Sequence, residues 1–479
     1  MDAEKVDLLI VGAGPAGLAA AIEARARGLS VALLDEQSAP GGQIYRGVDA
    51  ASEKSRSVLG EDYAAGAELT RAFVASGAQH VASASVWNVG RDLQVNFLQN
   101  GANRALQARR IILASGAMER PFPVPGWTLP GVMGAGAAQI LYKSAGALPR
   151  EPVVLAGCGP LLYLLAWQYL RAGVPIRAIV DTTEGADYRR AMAHLPGAVK
   201  GWRQLAKGLK LMRAIRRAGV QLHQGASDLA LEGGEAVEAI RFTARGRASR
   251  IPARVVLLHQ GVVPNTQISW SLRAQHRWDD AQLCWVPVTD EWGELDVAGI
   301  YVAGDGRGIG GAQAAEQQGR LAALEVAHRA GRIDRAARDS LAAPVQRALR
   351  ETLHIRPFLD ALYRPKDANR IPADDVTVCR CEEVTAGELR GFVRLGCLGP
   401  NQAKSFGRCG MGPCQGRLCG LTVTEVIASE RGVSPAEVGY YRVRPPIKPV
   451  TLAELAAAHE ARTARAEAQT VEAADPAER

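Results

Sequence analysis

The sequence predicts an α/β protein with two Rossmann-like nucleotide-binding units, the first interrupted by the second, and a small α-rich module behind them. Three observations carry this. Strand, glycine turn, helix and strand follow one another twice, first from Asp7 and again from Val153. Strand-like runs that end in glycine recur between and after these units. Most of the eight cysteines crowd between Cys379 and Cys419. Alternating βαβ grammar builds a doubly wound parallel sheet with helices on both faces.

In the first unit, Asp7 to Val11 is a short apolar run, Leu18 to Arg27 is alanine-rich, and Val31 to Leu34 reads as a buried strand. Between them Gly12, Gly14 and Gly17, with Pro15 and Ala16, spell G-x-G-x-x-G. The first glycine permits the sharp turn and the second lets backbone approach a pyrophosphate. The third allows close helix–strand packing, and the helix N-terminus faces the phosphates. Asp35 ends the second strand, where a carboxylate can accept both ribose hydroxyls; Glu36 beside it is the alternative.

The second unit repeats the pattern at Val153 to Leu155, Gly157 to Leu162, Leu164 to Arg171 and Ile176 to Val180. Gly157 and Gly159 are kept, but Leu162 stands where the third glycine belongs, which loosens the close contact without forbidding a nucleotide. Asp181 is the possible ribose acceptor. Cys158 has no C-x-x-C partner and reads as a small buried residue.

Further along, Gly41-Gly42-Gln43 follows the acid of the first unit. Ala114-Ser115-Gly116 and Gly304-Asp305-Gly306 each close a strand, and Gly310-Gly311-Ala312 leads into a helix. Arg332 to Arg350 has a helical pattern that Pro344 is expected to divide. Arg364 to Asp375 reads as a linker, Arg442 to Pro449 as a proline-rich stretch, and about the last 25 residues as a frayed helix or disorder. Lys200 to Arg217 is basic and amphipathic through Leu205, Leu209 and Met212. It is expected as the solvated face of an outer helix, docking on an acidic partner being the alternative.

Cys379-Arg380-Cys381 and Cys409 to Cys414 give C-x-C followed by C-x(4)-C. Two close pairs of thiolates suit a 2Fe-2S cluster, each pair holding one iron; the same four ligands also suit zinc. Gly407, Gly410, Gly412 and Gly416 free backbone N–H groups to donate to sulfur. Cys397 and Cys419 are expected as packing residues, Cys419 being the nearer rival as a ligand.

Bulk properties narrow the classes. At roughly 150 residues per domain, 479 residues imply about three domains. No stretch is long and apolar enough to span a membrane, and Asp2, Glu4 and Asp7 are unlike a basic secretory leader, so a cytoplasmic location is expected. That compartment argues against disulfides. A net charge of +8 without a recognisable module gives no nucleic-acid reading.

The glycine motifs resemble the FAD/NAD-linked flavoprotein superfamily that includes thioredoxin reductase and ferredoxin reductases. The resemblance implies FAD in the first unit, with Asp305 on the ribityl chain, Gly42 and Gln43 near the isoalloxazine, and Gly311 and Ala312 at a helix N-terminus by the flavin. Ser115 and Gly116 belong to the same site. It implies NAD(P) in the second unit, which Leu162 puts in doubt. The cysteine module resembles the 2Fe-2S domain of bacterioferritin-associated ferredoxin.

The order of parts resembles the α subunits of heteromeric amine and amino-acid dehydrogenases, the opine oxidase, D-hydroxyproline and proline dehydrogenase and hydrogen cyanide synthase group. Three runs carry this: Gly41-Gly42-Gln43-Ile44-Tyr45-Arg46, Glu119-Arg120-Pro121 to Pro125-Gly126, and Arg444-Pro445-Pro446-Ile447-Lys448-Pro449. The resemblance implies an oxidoreductase subunit that relays electrons from C–N bond oxidation in a partner flavoprotein subunit, with a small ferredoxin-like subunit as a further partner. A self-sufficient NAD(P)H-dependent reductase is the second reading. The expected division is an FAD domain at 1–145 and 251–335, a second Rossmann domain at 146–250, a connecting segment at 336–374, a 2Fe-2S module at 375–435, and a tail at 436–479.

Overall fold

A computed structural model describes residues 5–456; the C-terminal tail expected to be frayed or disordered lies outside the described residues. The first sheet grows from the strand Lys5–Val11, whose Leu8, Leu9 and Ile10 are fully buried. It pairs in parallel with Val31–Leu34 on one side and Ala102–Leu113 on the other. The start of Ala102–Leu113 carries an antiparallel meander with Gln94–Gln99 and Ser85–Val89, while its end pairs in parallel with Ile300–Val302. The chain therefore leaves the first sheet and returns to it after the second unit.

In the second sheet Val153–Cys158 lies between Ile176–Asp181 and Val255–Gln260, with Gln221–Gln224 and Val132–Gly134 at the edges, all parallel. All of Val153–Cys158 is buried, as a run covered on both faces must be. This sheet reaches beyond 146–250 at both ends. A glycine turn marks only the middle of such a unit, and neither flanking strand carries a turn of that kind. A three-stranded antiparallel sheet, Ala226–Glu232, Ala239–Ala244 and Arg247–Pro252, fills the crossover.

The helix Pro15–Ala26 nearly touches Ala312–Arg329, because a Cβ on Gly319 would stand 2.1 Å from the Ala16 carbonyl oxygen. Arg335–Leu353 is one helix through Pro344, not the two expected. Proline removes one intrahelical bond, but Ala342 is buried against Leu321, Leu324 and Trp292, and Arg338 pairs with the buried Glu325. Packing outweighs the local defect. Trp202–Arg217 buries Leu211 and Ile215, whereas Leu209, placed in its apolar face by periodicity, is exposed.

The cysteine module has a short hairpin, Thr377–Cys379 with Val384–Thr385, then helices Ala386–Arg394, Pro400–Gly407 and Gly420–Arg431. Thr385 and Glu388 form a capping box that fixes the first helix start. Val378, Leu389, Val423 and Val426 join the same buried cluster as Leu9, Val95 and Ile111, so the module is fused to the first sheet. The segment expected as a linker is a packed strap. Asn369 and Arg370 are buried, and Arg370 pairs with the buried Glu425 of the module. Polar composition was the wrong guide here, because paired charges can be buried. Among the described residues no helix is long and apolar enough to cross a membrane.

Candidate functional site: two glycine turns and a cysteine cluster

The first turn opens on a cavity of about 1560 Å³. Gly12, Gly14, Pro15, Ala16, Asp35, Glu36, Gly42 and Gln43 line it from one side. Ser115, Gly116, Gly304, Asp305, Gly311 and Ala312 line it from strand ends and the helix Ala312–Arg329. Of the residues proposed from sequence for this unit, only Gly17 stands back, and its reason is packing: a Cβ there would meet the Gly12 carbonyl oxygen at 1.9 Å.

Two neighbouring loops close tightly around the turn. A Cβ on Gly12 would stand 2.4 Å from the Ala114 oxygen, and one on Gly42 would stand 2.7 Å from the Gly14 Cα. Both glycines have positive φ, so any side chain there is also strained. Asp35 accepts the N–H of Ala13 at 2.6 Å and that of Gln37 at 2.8 Å, which ties the acid to the turn it follows. Glu36 is instead held by Lys448. Asp305 accepts the Gly310 and Gly311 amides on one oxygen, both at 2.9 Å, and so fixes the start of Ala312–Arg329. Ser115 donates to the Asn265 carbonyl.

The second turn is closed. Gly157, Gly159 and Asp181 do not line the cavity. Leu162 is fully buried in the core of this unit, taking the space a third glycine would leave to backbone. Asp181 is inaccessible; it accepts the Tyr163 hydroxyl and the Thr183 amide, and burial pushes its carboxyl up from the usual range. Nucleotides in such sheets sit beyond the carboxyl ends of the strands, and there the chain lays its own residues 361–370. The Cys158 thiol donates to the Tyr363 carbonyl at 3.5 Å, and Gln260 to the Asn369 carbonyl at 3.0 Å. Lys366 bridges Glu184 at 2.6 Å and the buried Asp187 at 2.7 Å. Burial pushes the Cys158 thiol up to about 12, as expected of a packing residue.

In the module, the Sγ atoms of Cys379, Cys409 and Cys419 lie within 4.8 Å of one another. Cys414 adjoins Cys381 and Cys419. Cys419, expected as packing, thus stands inside the cluster, whereas Cys397 donates to the Gly399 carbonyl away from it. The equal spacing Cys409, Cys414, Cys419 was the available signal for this fifth thiol. The Gly410 amide donates to Cys379 at 3.4 Å, and the Tyr441 hydroxyl to Cys409 at 3.4 Å. Thiol donation, first from Cys409 and then from Cys419, pulls Cys379 down. Donation from Cys419 pulls Cys414 down, and Cys419 is raised in turn. Convergent soft donors of this kind suit iron–sulfur or zinc. Cys414, Arg417 and Leu418 also line the cavity of the first turn.

Residues 6–319 match the pyridine nucleotide-disulphide oxidoreductase family, and 376–459 match the sarcosine oxidase A3 domain. An opine oxidase subunit of Agrobacterium tumefaciens (strain Ach5) is 48% identical over 470 residues, 96% of this chain and 93% of that one. The chain belongs to the pyridine nucleotide-disulphide oxidoreductase family and groups with the opine oxidase subunits. Further relatives include hydrogen cyanide synthase subunit HcnB of Pseudomonas protegens, 30% identical over 92% of this chain and 96% of that one. The crystal structure of L-proline dehydrogenase from P. horikoshii superposes with a TM-score of 0.68 over 94% of this chain and 79% of that chain. At 21% identity it speaks for the fold alone. The family match makes the first unit a Rossmann-like fold of the FAD type.

Proposed function

We propose that this chain is the FAD- and 2Fe-2S-containing subunit of an amine or amino-acid dehydrogenase complex, of the opine, proline or hydroxyproline type. It passes on electrons released by C–N bond oxidation in a partner flavoprotein subunit. The observation that carries the reading is that Cys414, of the cysteine cluster, lines the same cavity as Gly12, Asp35 and Asp305.

The residues present fit both groups. The backbone of Gly12, Gly14 and Gly42 leaves a cradle that a Cβ would fill, at a helix N-terminus suited to phosphates. Asp35 would take the ribose and Asp305 the ribityl chain, each already held by two backbone amides. Cys379, Cys381, Cys409 and Cys414 would hold the cluster, with Cys419 as the competing fourth thiolate. Bound FAD supplies two-electron acceptance and stepwise release, and a 2Fe-2S cluster supplies single-electron transfer. Gly410 and Tyr441 would donate to ligand sulfur and tune its potential.

The self-sufficient NAD(P)H reductase is disfavoured by the strap over the second turn and by the engaged Asp181. The discriminating experiment is anaerobic addition of NADH or NADPH to the purified chain. The flavin absorbance is expected to persist, and to fall only when the partner protein and an imino or amino acid are added. Rapid bleaching by either nicotinamide would overturn the subunit reading.

A further inference from the structure

A run of aromatic rings begins at the cysteine cluster and ends at the protein surface. The Tyr441 hydroxyl donates to Cys409 Sγ at 3.4 Å and lies 3.9 Å from Cys419 Sγ. From Tyr441 the ring centroids step to Tyr440 over 5.9 Å and to Trp270 over 5.3 Å. They continue to Trp285 over 5.6 Å and to Trp278 over 5.7 Å. Tyr441 and Trp285 are buried, whereas Trp278, paired with Trp285 across a two-stranded sheet, is half-buried and reaches solvent. Every step lies within the roughly 4.5–7 Å of direct ring contact.

The cluster loops make room for these rings. Gly410, Gly416 and Gly420 each follow a cysteine by one or two positions. A Cβ on Gly410 or Gly416 would stand 2.4 or 2.5 Å from the Tyr441 ring, and one on Gly420 would stand 2.4 Å from the Tyr440 hydroxyl. Packing alone does not account for the residue types. The indole N–H groups of Trp270 and Trp285 are buried without an acceptor among the described residues. Each costs about 1–3 kcal/mol, which phenylalanine would avoid. Indole and phenol differ from a phenyl ring in giving up one electron far more readily.

We propose that this run carries oxidising equivalents away from the cysteine cluster, the missing electron being replaced from Trp278 at the surface. This rests on the 2Fe-2S reading. The oxidant is hydrogen peroxide, formed when dioxygen takes two electrons and two protons from a reduced flavin. One electron at the cluster splits peroxide into hydroxide and a hydroxyl radical. Tyr441 gives that radical an electron, making a second hydroxide, while its phenolic proton crosses the hydrogen bond to Cys409 Sγ. An electron drawn from Trp278 through Trp285, Trp270 and Tyr440 restores Tyr441, and the proton returns. The Trp278 indole proton passes to solvent. The radical left on Trp278 takes a hydrogen atom from a solution thiol, which the buried rings cannot meet.

The test adds one equivalent of hydrogen peroxide to the anaerobically reduced holoprotein, whose iron and FAD contents are measured first. Frozen samples are read by electron paramagnetic resonance, and parallel samples by mass spectrometry of digested chain. A tryptophanyl radical is expected, with oxidation at Trp278 several-fold above that at Trp202, which is 62% exposed but lies off the run. Trp270→Phe keeps an aromatic ring but breaks the run. It is expected to lower Trp278 oxidation to the Trp202 level and to speed bleaching of the iron–sulfur bands. Trp270→Tyr, which restores an oxidisable ring, is expected to restore Trp278 oxidation, so loss of conduction is separated from loss of packing. In a loaded chain, Trp278 oxidation no greater than that of Trp202, or unchanged in Trp270→Phe, would overturn the proposal alone. A chain that holds no iron would overturn the cluster reading and the proposal with it.

Discussion

At Gly12 the strand Lys5–Val11 ends on a large cavity, whereas at Gly157 the strand Val153–Cys158 ends against residues 361–370 of the same chain. Both turns share the strand–glycine–helix build, and in both a glycine Cβ would collide with backbone of a neighbouring strand end. What separates them is the company each keeps. The first is met by glycine loops, at Gly42, Gly116 and Gly304, that line the cavity beside it. The second is met by Leu162 from within and by a salt-bridged strap from outside. A nucleotide fingerprint therefore establishes that a turn can form; whether it can hold a ligand is decided by the segments packed over it.

The largest effects follow from placing a side chain in each turn. Gly12→Ala places a Cβ 2.4 Å from a main-chain oxygen beside the cavity and is expected to abolish flavin retention, read as absorbance near the flavin band per chain. Gly159→Ala comes no nearer to another atom than 3.2 Å, at the His259 ring. It should cost about 1–3 kcal/mol of stability, because its backbone lies in a region that only glycine adopts freely, yet retain full flavin. Equal flavin loss in both variants would erase the distinction between the turns.

A second effect of all-or-none size tests on which side the cysteine module belongs. Cys409→Ser should remove the broad visible iron–sulfur absorbance while flavin is kept. Cys397→Ser, whose thiol faces the Gly399 carbonyl, should leave it intact. Unchanged bands in Cys409→Ser would refute the cluster. Comparing Cys414→Ser with Cys419→Ser then decides the fourth ligand, since only one of them is expected to abolish the bands.

Much of this contrast was legible in sequence. Gly12, Gly14, Asp35 and Asp305 could be placed because each owes its position to a local signature, a turn or a strand end. The interruption of one fold by another followed from the recurrence of that signature. What was missed depends on long-range packing. Nothing local in Arg364 to Asp375 says that Lys366 will meet Asp187 or that Arg370 will meet Glu425. Pro344 reads as a break until Trp292 and Leu321 pack against its helix. Cys419 looked like filler because the two-pair motif was already complete without it.

A smaller effect is expected from the acids. Asp305→Ala removes a carboxylate that orders the Gly310–Gly311 turn and faces the cavity. A charged hydrogen bond contributes roughly 1.5–3 kcal/mol, so flavin affinity should fall by about 10- to 100-fold, measurable by equilibrium titration of the apoprotein. Asp181→Asn sits at the matching place in the second unit and should leave flavin affinity unchanged, because its carboxylate serves only Tyr163 and Thr183.

The strap itself offers the finest test. Lys366→Met leaves the buried Asp187 with Arg190 alone, at 3.0 Å, and the Glu184 amide. Losing one partner of a buried polar group costs about 1–3 kcal/mol, so a modest fall in the unfolding midpoint is expected, with flavin content unchanged. The informative reading is anaerobic exposure of that variant to NADH. The Asn369, Tyr363 and Leu162 contacts remain, so the flavin should still stay oxidised. If it bleached instead, Lys366 alone would be the gate, and the closed second turn would be a conditional nucleotide site, not a structural remnant.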